Sequence, residues 1–129
     1  MFKNLKILGV ALTASVGLFV LPANSSAATL ASYTSTVSNA GEMTGAYNSD
    51  GGTYKVCVSN IRAGNTFRVQ LFELDSVLNE IGSDKYISAP SGCATWTGIS
   101  TDGDNGKAEL NAKLNSTTGD DTVSIQLID

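Results

Sequence analysis

The chain of 129 residues contains no histidine, one tryptophan and two cysteines, and only 16 % of it is charged. Without histidine there is no imidazole general base, no Ser-His or Cys-His nucleophile pair and no His-ligated zinc or haem. Most familiar hydrolase mechanisms are thereby excluded. Basic residues are also scarce, 8 against 12 acidic ones. With no basic stripe or arginine-rich arm, neither nucleic acid nor an anionic membrane surface is an expected partner. A single long apolar run, Ile7 to Leu21, falls short of the roughly 20 residues that a membrane-spanning helix needs.

That run follows Lys3 and Lys6 and leads into Pro22 and the small, polar stretch Asn24-Ser25-Ser26-Ala27-Ala28. The order basic, apolar, small is that of a secretory signal peptide. We read residues 1–27 as the signal and 28–129 as one exported domain, with no membrane insertion after cleavage. The expected location is extracellular or associated with the cell envelope. Six basic residues then face all twelve acidic ones, an imbalance that serves solubility.

Cys57 and Cys93 both fall in the exported part, where an oxidising setting favours an intramolecular disulfide. The bridge closes a loop of about 37 residues, worth roughly 3 to 4 kcal/mol in the chain-entropy model. The wide spacing is unlike a C-x-x-C redox motif.

The dominant period is two. Tyr54, Val56 and Val58 alternate with Lys55, Cys57 and Ser59, and the pattern resumes at Thr66 to Leu71 after a turn holding Gly64 and Asn65. This pair reads as a hairpin. Ala108, Leu110, Ala112 and Leu114 form one dry row and Val123, Ile125 and Leu127 another; the turn-rich stretch Asn115 to Asp120 between them reads as a second hairpin. Ala31 to Val37, an edge candidate, Glu42 to Tyr47, Lys85 to Ser88 and Cys93 to Ile99 are further strands. Asp75 to Ile81 fits a helical turn or a strand equally. Seven or eight short strands that each bury one face predict an all-β, antiparallel β-sandwich, with a small β-barrel as the alternative.

Three constellations bear on chemistry. Asp102, Asp104 and Glu109 are hard oxygen donors suited to calcium, although Gly106 occupies the third ligand position of the familiar loop. The competing reading there is a hairpin turn at Asn105-Gly106. Among the aromatics, Tyr86, Trp96 and Tyr47 are the candidate contact residues for a sugar ring or a protein, while strand position favours core packing for Trp96, Tyr54 and Phe67, with Trp96 beside the disulfide. Tyr86, next to Lys85 and a Pro-Gly loop, is the expected exposed one. Glu73, Asp75, Glu80 and Asp84 are close enough in sequence to supply a carboxylate pair for glycoside cleavage, but a domain of this size offers little room for a deep cleft. The sequon Asn115-Ser116-Thr117 matters only in a glycosylating pathway.

The expected function is therefore non-catalytic, with no cofactor unless calcium: a secreted module that binds an extracellular protein or glycan. The alternative is a secreted effector, an antimicrobial toxin or an enzyme inhibitor. An exposed apolar patch would favour binding, and a rigid loop projecting from Ser83 to Gly92 would favour inhibition.

Overall fold

A computed structural model describes residues 27–75, 78–101 and 106–129. The expected signal segment, residues 1–26 of it, lies outside these, as do Asp102 to Asn105. The described residues form nine strands: β1 (Thr29–Val37), β2 (Glu42–Ser49), β3 (Gly52–Ser59), β4 (Thr66–Leu74), β5 (Leu78–Glu80), β6 (Lys85–Ser88), β7 (Ser91–Ile99), β8 (Ala108–Ser116) and β9 (Asp121–Ile128). Among them is no helix long and apolar enough to cross a membrane.

The strands make two antiparallel sheets. Sheet A has the order β1-β9-β3-β7; sheet B has the order β2-β8-β4-β5, with β6 pairing the other half of the β4 edge. The architecture is a β-sandwich, and the two sheets remain separate instead of closing into a barrel. The strand count exceeds expectation by β5, which makes Leu78–Glu80 of the ambiguous window Asp75 to Ile81 a strand, while Ser76 and Val77 of that window lie outside the described residues.

The alternation sorts the side chains as its period demands. Tyr54, Val56 and Val58 from β3 and Val123, Ile125 and Leu127 from β9 meet Phe67, Val69 and Leu71 from β4 and Leu110, Ala112 and Leu114 from β8 in one core. Among the described residues, every strand and every core side chain lies between Thr29 and Ile128, and these side chains pack into one core.

Both expected hairpins are corrected by the pairing. β3 and β4 belong to opposite sheets, as do β8 and β9. Asn105-Gly106 cannot close a hairpin either, because β7 and β8 are also in opposite sheets; Asn105 itself is outside the described residues. Apart from the run β4 to β6, every connection passes from one sheet to the other. A dry face tells which way a strand looks, and facing strands across a core have the same alternation as neighbours within a sheet.

A buried polar cluster holds two of these crossovers together. Asn65, 1 % exposed, donates through Nδ2 to Ser116 Oγ at 2.9 Å and Asp121 Oδ2 at 2.7 Å. Its Oδ1 accepts from the amides of Thr66 at 2.9 Å and Thr118 at 3.2 Å. Asp121 Oδ2 also accepts the Arg62 amide at 2.9 Å, while the Arg62 guanidinium donates to the carbonyls of Asp120 and Thr118. The β6–β7 corner joins through the Ala89 amide, which donates to the Asn65 carbonyl at 3.1 Å. Burial of these groups is tolerated because nearly every donor and acceptor finds a partner.

Candidate functional site

The disulfide Cys57–Cys93 is formed between residues that face each other across the β3–β7 ladder. Cys57 has the parity of exposed Lys55, not of buried Val56, so the bridge lies on the outer face of sheet A. Trp96, three residues from Cys93 and hence of opposite parity, is 4 % exposed and packs in the core. The expected packing of Trp96 beside the bridge is thus corrected: the indole and the bridge occupy opposite faces of β7. Around the bridge runs a shallow groove of about 500 Å³ lined by Ser32, Ser59, Ser91, Ser124 and Gln126 as well as the two cysteines.

Of the three candidate contact residues, Trp96 presents no ring face to solvent. Tyr47 points inward opposite Leu110 and is partly buried against the core. Tyr33 and Tyr47 flank the sandwich rim where β1 and β2 come together, marked by Ser35 Oγ donating to Glu42 Oε1 at 2.7 Å. Burial, reinforced by Glu42 and then Tyr47, pushes the Tyr33 phenol up from its ordinary value. The Tyr54 phenol is raised further, first by burial and then by Asp129. These hydroxyls stay protonated and neutral under ordinary conditions.

Tyr86 is different. It is 62 % exposed and stands on the outer face of sheet B directly opposite Arg68 on β4. Arg68 alternates with inward-facing Phe67 and Val69, which sends its side chain outward. Its guanidinium reaches Asp84 at 3.6 Å and Asn115 Oδ1 at 3.5 Å. Sequence reading passed over Arg68 although the signal was present: an arginine in the wet row of an otherwise apolar strand. The amide nitrogen of Asn115, the sequon residue, donates to the Asn39 carbonyl at 3.1 Å.

The acidic group is only partly assembled. Glu80 and Asp84 share a side-chain hydrogen bond beside Arg68 and Gln70, and that bond, followed by burial and the charge of Asp84, raises the Glu80 carboxyl above its ordinary value. Glu73 has the opposite parity, at the register position of Leu110, and Asp75 is exposed beyond the end of β4. Among the calcium candidates, Glu109 sits opposite Asn48 on the outer face; Asp102 and Asp104 lie outside the described residues. No group of three or more metal-binding side chains occurs among the described residues.

The exposed large hydrophobic residues Met43, Leu74, Leu78 and Tyr86 all belong to sheet B strands, with Leu74 and Leu78 directly paired. The candidate site is accordingly the outer face of sheet B around Tyr86, Arg68, Asp84 and Glu80. It is open and shallow, suited to contact rather than enclosure.

Compared with known proteins, residues 29–127 match the model of a family described as YndA coiled coil domain. No curated protein and no solved structure matches the chain. The matched segment, among its described residues, consists of β-strands and turns, and its apolar period of two is not the 3.5 of a heptad.

Proposed function

The chain belongs to the YndA coiled coil domain family, and from the geometry above we propose that it is an extracellular binding module that acts without catalysis, contacting a protein or glycan through the outer face of sheet B. The observation that carries this reading is the pairing of exposed Tyr86 with Arg68 on the same sheet that bears the other large apolar side chains exposed among the described residues, Met43, Leu74 and Leu78. Tyrosine and arginine are the residue types that anchor interfaces most often, since each combines large contact area with directional hydrogen bonding. The disulfide and the leader-like N-terminus support an extracellular setting. The other proposal, an inhibitor, draws less support: Lys85–Ser88 is an edge strand hydrogen-bonded to β4, and Ile87 is buried, so no rigid loop projects there.

The test is a glycan array and an extracellular-protein pull-down with residues 28–129, repeated with Tyr86→Ala and Arg68→Ala. The ligand identified by the parent protein should lose roughly tenfold or more in affinity for Tyr86→Ala, as expected of an aromatic anchor. Unchanged affinity in both variants would move the contact elsewhere. Growth inhibition of neighbouring cells by the purified protein would instead favour the effector.

A further inference from the structure

A sheet whose outermost strands expose free backbone N–H and C=O groups will pair with another chain unless something prevents it. Sheet B carries such guards. Its β2 edge begins with Glu42 and is bent by a register shift between Met43 and Ala46, where Gly45 takes a φ of 92°. Its other edge is split into two short strands, β5 and β6, bearing Glu80 and Lys85. Sheet A is guarded only at the strand ends, by a register shift between Thr29 and Ala31 at the start of β1 and by another beyond Trp96 on β7, where Gly98 takes a φ of 68°. Both outer strands, β1 and β7, are nine residues long and contain no charged residue and no proline. The ladder is regular from Ala31 to Val37 on β1 and from Ser91 to Trp96 on β7. Among the described residues, no backbone hydrogen bond outside the ladders reaches Leu30 to Thr36 or Gly92 to Gly98.

We propose that sheet A continues from one copy of this chain to the next, β7 of each copy pairing with β1 of its neighbour. Strand direction permits it. Because each neighbour in β1-β9-β3-β7 is antiparallel, β1 and β7 run in opposite directions, and a copy placed alongside in the same orientation meets β7 with an antiparallel β1. The side chains fit too: Ser32, Thr34 and Thr36 would face Thr95, Cys93 and Ser91 respectively in uncharged rows, and hydroxyl pairs of this kind already occur within the sheet, as between Thr36 and Thr122 at 2.7 Å.

Charge at the two rims selects this head-to-tail arrangement over a two-fold pairing of β1 with β1. Glu42 stands at the β1 rim, hydrogen-bonded to Ser35. Lys85 stands at the β7 rim, with its ammonium 5.6 Å from the Trp96 ring centre. Successive copies bring Glu42 toward Lys85, whereas a two-fold pairing at β1 sets Glu42 against Glu42. A head-to-tail contact of this kind does not close, so it yields chains of copies.

Sedimentation velocity of residues 28–129 over a concentration series tests the proposal, with circular dichroism and the intact disulfide mass confirming the fold of each variant. The parent protein should grow past the dimer as concentration rises. Thr34→Lys and Thr95→Lys, at exposed positions in the two edges, should each be monomeric alone, yet form a heterodimer and nothing larger when mixed, since each retains one open edge. Thr34→Ser should assemble like the parent. Glu42→Lys should weaken assembly, and adding Lys85→Glu to the same chain should restore it. A parent that stays monomeric throughout, lysine variants that still polymerise, or a Thr95→Lys variant that dimerises by itself would each overturn the arrangement. Tyr86→Ala should assemble normally, which separates this contact from the ligand face of sheet B.

Discussion

The two sheets share one core and little else. The strands of sheet A carry two charged residues, Lys55 and Asp121, whereas those of sheet B carry seven: Glu42, Arg68, Glu73, Glu80, Lys85, Glu109 and Lys113. Sheet A has a hydroxyl-rich outer face fastened by a disulfide between directly opposed strands. Sheet B has an outer face of ion pairs and exposed apolar groups, with interrupted edges. The difference separates two ways of meeting other molecules. A surface of Tyr, Arg and Leu side chains can discriminate among ligands through shape and hydrogen-bond geometry. Regular, uncharged strand edges offer backbone pairing, which any chain of matching register satisfies.

The largest effect should come from removing the fastening unique to sheet A. Replacing Cys57 and Cys93 together by serine should cost roughly 3 to 4 kcal/mol by the loop-entropy estimate, for a bridge spanning 36 positions. Denaturant unfolding measures this, and a loss under about 1 kcal/mol, far below that estimate, would show that sheet A does not lean on its staple. Next is the cluster that joins the sheets. Asn65→Ala strips Ser116 and Asp121 of a buried partner and should cost about 2 to 3 kcal/mol. The same unfolding measurement checks it, and a neutral result would mean that the crossovers are held by core packing alone.

Those crossovers mark where the sequence stopped being informative. The rows Tyr54-Val56-Val58, Ala108 to Leu114 and Val123 to Leu127 announced the strands and their inner faces, and each of these residues is buried. The same rows could not announce the sheet partner, because a strand alternates identically whether its successor lies beside it or across the core. The signal that distinguishes the cases is Asn65. A hairpin tip leaves its asparagine in water, whereas a crossing loop must satisfy buried backbone, and this one spends its amide on β8, β9 and the loop between them. Of the ligand face, the exposure of Tyr86 was legible from its neighbours Lys85 and Pro90. The partnership with Arg68 was not, because it depends on β6 pairing with β4 across eighteen residues of chain.

The smallest effect concerns protons, and it sharpens the contrast most cleanly, because the outer face of sheet A presents no carboxylate along its registered strands. Glu80 is lifted above its ordinary value of 4.5 first by the hydrogen bond with Asp84, then by burial and by the Asp84 charge, while Gln70 and Arg68 pull the other way. A carboxyl raised in the folded state holds its proton to higher pH there than in the unfolded chain. Its contribution to stability is therefore fully present below pH 4.5 and is lost as pH rises through the folded value. Carbon-detected titration should show Glu80 ionising above 4.5, with Asp84→Asn moving it back, and Glu80→Gln should remove that component from the pH profile of melting. Amides of β4 to β6 should shift with this titration while those of β1 and β7 stay still. Glu80 ionising at or below its ordinary value would sever it from Asp84 and leave the Arg68–Asp84 ion pair as the organised charge beside Tyr86.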